Sequence, residues 1–255
     1  LLVSAVLLEL AVVIVARFPA PERPAFVPGA AGPPPPVHEG PLDQVPIGGS
    51  IWTGLTHVVR SPYLMGIAMF LVLLTLGSTV LYFEQADIVA RTYADRATRT
   101  TVFSQIELTV QVLTLVTQIF FTGRIIRWVG LSAALAFLPL LSMLGFAALG
   151  ALPVFAALAV FTVLRRAGNF ALNNPAMEIL FTVVPREDKY KAKSFIETFV
   201  YRGGDQIGAW GFAGLSALGL GLTGIAFATV PIAAVWLGLA VWLGRKQAAL
   251  AVESR

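Results

Sequence analysis

Six apolar segments follow one another from residue 63 onward with only short polar turns between them. They run over 63–83, 102–123, 128–149, 152–172, 194–218 and 222–243, each close to the ~20 residues a helix needs to cross a bilayer. Composition agrees: 57% of the 255 residues are hydrophobic and 13% are charged, against ~25% charged in an ordinary soluble domain. Disorder, a disulfide scaffold and a compact soluble enzyme are all disfavoured. The chain has no cysteine, which removes thiol chemistry and thiolate metal sites. The expected fold is an all-α integral membrane protein.

The chain divides by composition. Residues 1–16 form an apolar run, too short to span by itself, that reads as the end of a truncated transmembrane helix. Residues 17–61 are rich in proline, with four in a row at Pro33 to Pro36, and read as an extended linker. That linker ends in a short interfacial helix around Trp52. Residues 62–244 hold the six-helix bundle and 245–255 form a tail. The fourth span should continue past Pro175 to about Val184, kinked at the proline because the ring removes a backbone donor.

Basic residues orient the bundle. Twelve Lys and Arg fall in the linker, the 124–127 turn, the 186–193 loop and the tail, whereas Arg91, Arg96 and Arg99 mark the other side. That asymmetry places the linker and the C-terminus of a multi-pass protein in the cytoplasm. It also accounts for the net charge of +4 without nucleic acid as a partner. The remaining three arginines, Arg165, Arg166 and Arg202, fall within predicted spans.

A cytoplasmic linker followed by six spans resembles the second half of a twelve-helix major facilitator superfamily transporter. The turn Thr122-Gly123-Arg124-Ile125-Ile126-Arg127-Trp128-Val129-Gly130 is similar to that family's Gly-and-Arg turn. Leu164-Arg165-Arg166-Ala167-Gly168-Asn169, the run Lys189-Tyr190-Lys191-Ala192-Lys193, then Phe195-Ile196-Glu197 and Tyr201-Arg202-Gly203-Gly204-Asp205 resemble the ATP/ADP translocase-like branch. The resemblance implies alternating-access transport of a small-molecule solute, exchange of nucleotides in characterised relatives, a bacterial plasma (inner) membrane as the location, and an N-terminal six-helix half of the same protein as partner. It implies no cofactor.

Charges inside the bilayer are costly and therefore informative. At about 100° per residue, Glu197, Tyr201, Asp205 and Arg202 fall within an arc of about 140° on the fifth span, as on a helix that lines a polar cavity. Arg202 and Asp205, three apart, are positioned to pair. Guanidinium groups suit phosphate or carboxylate, so the substrate-binding candidates are Arg165, Arg166, Asn169, Tyr201 and Arg202. The coupling or gating candidates are Glu107, Glu178, Glu197 and Asp205. Two bland readings stand beside these: an interhelical charge network that fixes packing, and side chains that snorkel to the interface. The basic 185–193 run reads as the orientation signal, and the Gly204 to Gly208 spacing as close helix packing.

Gly219-Leu220-Gly221-Leu222-Thr223-Gly224 matches a dinucleotide fingerprint, but no strand precedes it, so it reads as an interhelical turn. There is no Walker A motif. His38 and His57 lie in the linker without a second ligand at metal-binding spacing, so no metal site is expected. Trp52, Trp128, Trp236 and Trp242 are read as interfacial anchors. With no nucleophile–base pair in the spans, an enzyme is disfavoured. A secondary transporter for an organic anion leads. An exporter of lipophilic or cationic compounds and a non-transporting scaffold remain as alternatives.

Overall fold

The computed structural model describes residues 58–253. The 1–16 segment, the linker with His38 and His57, and the interfacial helix up to residue 57 with Trp52 lie outside the described residues. Every regular element among those described is helical.

The first helix, α1 (Pro62–Thr92), starts where Ser61 Oγ accepts the Leu64 N–H at 3.4 Å and Pro62 occupies the first turn. A missing N–H costs nothing there. It outruns the predicted span by nine residues, because Glu84-Gln85-Ala86-Asp87 are polar but contain no helix breaker. Helix α2 (Arg96–Phe120) is capped by Asp95, whose carboxylate accepts the Thr98 N–H at 2.8 Å and the Thr98 hydroxyl at 3.0 Å. Those two bonds hold the Asp95 carboxyl below its ordinary value. The basic turn forms α3 (Thr122–Val129), and Gly130 at φ +83 connects it to α4 (Leu131–Ala151).

The fourth span is α5 (Phe155–Gly168), a π-helical turn (Asn169–Asn173), α6 (Asn174–Leu180) and a 3₁₀ turn (Phe181–Val183). The break expected at Pro175 is thus taken up one turn earlier. Pro175 has no N–H to return to Ala171, and the freed carbonyls are satisfied from the side: Gln118 Nε2 donates to Phe170 O at 3.0 Å and Thr122 Oγ1 to Ala171 O at 2.7 Å. Next, α7 (Arg186–Phe195), a second π turn (Ile196–Val200) and α8 (Tyr201–Ala217) make one helical path. A turn around Gly219 (φ +86) leads to α9 (Leu222–Glu253). The dinucleotide-like glycines therefore sit at an interhelical turn.

Among the described residues five helical stretches are long and apolar enough to span: Pro62–Thr92, Arg96–Phe120, Leu131–Ala151, Phe155–Val183 and Leu222–Val252. These establish a multi-pass integral membrane protein. The predicted fifth span does not qualify by that measure. Its uninterrupted α-helical part, α8, has 17 residues and includes Arg202 and Asp205.

Packing explains the glycines of α8. A Cβ on Gly208 would stand 2.9 Å from Thr79 Cβ and 3.2 Å from Leu76 Cα, and one on Gly204 would collide with Thr75 and approach Val72 Cα to 3.2 Å. Here α8 lies directly on α1, as the small-residue spacing predicts. By contrast α2 is buried only at Val102, Ile106, Val110 and Thr114, a single four-residue stripe.

Two larger apolar clusters divide the core, beside a small third one of Val102, Ile106 and Val110. One gathers Phe70, Leu135, Leu180 and Trp236, and the other Phe146, Leu158, Phe161 and Ile225. Trp236 is thus no interfacial anchor. It is 1% exposed and packs edge-on to Phe70 at 5.3 Å, because the middle of α9 faces α1 and α4. Trp128 and Trp242 are exposed.

Candidate functional site

Between the two clusters lies a polar layer. Arg165, near the end of α5, is 3% exposed. Its Nε donates to Ser142 Oγ at 3.0 Å, Nη1 to Ser78 Oγ at 3.0 Å and Nη2 to Leu74 O at 3.1 Å. Ser78 in turn donates to Leu74 O at 2.8 Å, so its hydroxyl is fixed to accept from the arginine. Gly77 makes the room: a Cβ there would sit 3.1 Å from Nη2. All three acceptors are neutral. Among the described residues no carboxylate lies within ion-pair distance of Arg165, so its charge is solvated by dipoles and not cancelled.

This guanidinium forms part of the wall of a cavity of about 700 Å³ between α1, α5, α8 and the first π turn. Arg166, Asn169, Tyr201 and Asp205 also line it. Five of the nine residues singled out from sequence therefore meet around one space. Arg166 Nη1 bonds Glu107 Oε2 at 2.6 Å, and Gln111 Nε2 bonds Glu107 Oε1 at 2.9 Å. Glu107 thus stands behind the wall with both oxygens engaged. Asn169 Oδ1 accepts from Asn173 Nδ2 at 3.0 Å within the π turn.

The other candidates are elsewhere. Lys193 Nζ grips Glu178 through both oxygens, at 2.7 and 2.8 Å, and lies 3.7 Å from Glu197. These three staple α6 to α7, away from the cavity. The Glu178 carboxylate, with Glu197 behind it, holds the Lys193 ammonium above its ordinary value. Glu197 lies within the π turn Ile196–Val200, one turn before Tyr201, and pairs with Lys193 instead of lining the cavity. Arg202 is exposed and outside the cavity lining. The predicted Arg202–Asp205 pair does not form among the described residues. Asp205 instead accepts from Thr79 Oγ1 at 3.5 Å across the α1–α8 seam.

Several lining residues were not foreseen: Ser78, Thr79, Tyr82 and Gln85 on α1, Phe103 on α2, and Phe170 in the π turn. Only Gln85, just past the first apolar run, carried a readable signal. The wall as built offers two guanidinium groups, one carboxylate, neutral hydrogen-bonding groups and four aromatic rings. Such a set suits a solute with an anionic group and a planar or apolar body. Among the described residues no three His, Asp or Glu side chains gather as a metal site.

No protein-family model matches the chain, and no solved structure does. The chain is similar to ADP,ATP carrier protein 2 of Chlamydia pneumoniae, 25% identical over 78% of this chain and 41% of the carrier. It thus spans about two fifths of that relative's length. With the apolar helices, that similarity supports a transporter-like membrane protein.

Proposed function

We propose that this chain is part of a secondary transporter that moves an organic anion by alternating access, with nucleotide exchange as the specific form of the activity. The observation that carries the reading is the buried Arg165, held by three neutral acceptors with its charge uncancelled in a cavity wall. A charge placed that deep is costly as mere packing and is expected where it meets a solute. In this reading Arg165 and Arg166 bind the anionic group, Tyr201 and Asn169 position the body, and Asp205 gates across the seam. The six predicted spans form the C-terminal half of a twelve-helix major facilitator bundle, with both ends of the bundle in the cytoplasm. The other half supplies the opposite wall of the site. The similarity to the chlamydial carrier supports nucleotide as the solute.

Counterflow in proteoliposomes tests this with the complete chain. Labelled ATP uptake should require internal ADP and should be lost in Arg165→Met with the protein still inserted. Normal uptake by that variant refutes the assignment. A second reading, export of a cationic or lipophilic compound, is favoured by Asp205 beside Tyr82, Phe103, Phe170 and Tyr201. It predicts the reverse: Asp205→Asn inactive and Arg165→Met active.

A further inference from the structure

Glu84 is 1% exposed, in the half of α1 beyond the arginine layer. Neither of its carboxyl oxygens has a hydrogen-bond partner among the described residues. Val80, Leu81 and Ile88, one turn to either side on the same face of α1, belong to an apolar cluster with Phe146, Leu158 and Ile225. An ionised carboxylate without a donor in such a place costs several kcal/mol, most of which a bound proton removes.

The neighbouring charges do not relieve it. On α1, Asp87 pairs with Arg91 at 2.5 Å. On α5, Arg165 is committed to Ser78, Ser142 and Leu74 O, and Arg166 to Glu107. On α8, Asp205 faces Thr79 and Arg202 is exposed. Arg99 of α2 caps the carbonyls of Ala90, Tyr93 and Ala94. Helix α4 and the 222–244 part of α9 contain no charged residue. None of these groups bonds Glu84.

We propose that Glu84 is the proton-binding site of the transporter. Its carboxylate takes a proton from water on one side of the membrane when the bundle opens there. The resulting neutral acid crosses the closed state shown by its burial, and the proton is released to water on the other side. The coupling role thus falls to Glu84 and not to Glu107, Glu178, Glu197 or Asp205, each of which already has a polar partner. This proposal rests on the transport reading above.

Two measurements on the complete chain test it. Infrared spectra of the wild-type protein at neutral pH should contain the carbonyl stretch of a buried protonated carboxyl. Glu84→Gln should lack that band, and Glu84→Asp should keep it, shifted. A wild-type protein without the band, or a band that persists in Glu84→Gln, overturns the site. In proteoliposomes, ATP/ADP exchange should survive Glu84→Gln while ATP accumulation driven by a proton gradient falls to the level without one, and Glu84→Asp should restore it. Accumulation unchanged in Glu84→Gln, or exchange lost with it, overturns the coupling role. Wild-type protein that moves no ATP overturns the nucleotide reading instead, and the infrared band then decides the proton site by itself.

Discussion

Alanine at Gly208 and alanine at Gly211 should have opposite consequences for stability. Both positions lie in α8, and replacing glycine gains about 1 kcal/mol of helix propensity at either. They differ in space. At Gly211 a Cβ meets nothing within 4 Å, whereas at Gly208 it stands 2.9 Å from Thr79 Cβ and 3.2 Å from the Leu76 backbone. Backbone cannot rotate away, so the α1–α8 seam must open or strain, at a cost of about 1–3 kcal/mol. Comparing the two variants cancels the propensity gain and leaves the steric cost alone. For a chain of this size 1 kcal/mol corresponds to about 2–4 °C in Tm, so Gly208→Ala should melt roughly 2–12 °C below Gly211→Ala. Thermal unfolding in one detergent, followed by helicity, reads the difference. Equal melting temperatures would refute the close approach of the two helices, and with it the placement of Asp205 opposite Thr79.

Three further outcomes are expected. Thr122→Val keeps the shape but leaves Ala171 O without its 2.7 Å donor, which should cost about 1–3 kcal/mol and loosen the π turn, seen as faster backbone hydrogen exchange at residues 169–173. Glu107→Gln at the half-exposed Arg166 pair should change stability by under about 1 kcal/mol while altering transport, so a variant that melts well below wild type would make the pair a packing device. The Glu178–Lys193 contribution follows the sign of the raised lysine: it is complete below the unfolded lysine value of ~10.4 and fades as pH rises through the higher folded value. The gap in melting temperature between wild type and Glu178→Gln should therefore hold at neutral pH and close in strong alkali; a gap that widens there refutes the staple.

Much of the fold was legible because apolar length and helix breakers are local properties. The turn at Gly219 and the Gly204–Gly208 packing follow from them, whereas α1 runs nine residues past its predicted end and the fifth span is interrupted by a π turn. The site was legible only in part. Arg165, Arg166, Asn169, Tyr201 and Asp205 stood out because polar groups in apolar runs are conspicuous, and they do converge. Glu197 and Arg202 were misplaced because a helical wheel gives direction but neither depth nor neighbours: Glu197 lies a turn before Tyr201 beside Lys193, and Arg202 is turned about 100° from Tyr201, out of the cavity. Lys193 read as one charge among several because its bond to Glu178, fifteen residues away, depends on how the α6–α7 hairpin closes. Glu84 escaped notice because it is the first residue after an apolar run, and only tertiary burial separates it from an ordinary helix end.

The two π turns also govern how this protein will answer a labelling scan. The chain has no native cysteine, so single reporter thiols could be placed one by one along the fourth and fifth spans without background. Reactivity along α5 should rise and fall with the usual 3.6-residue beat, slip by one residue across Asn169–Asn173, and resume in α6. The same slip should recur across Ile196–Val200. A periodicity fit run straight through either turn would assign the water-facing side of the helix to the wrong residues. Fitted in separate pieces, the scan yields two phases whose offset measures each turn directly.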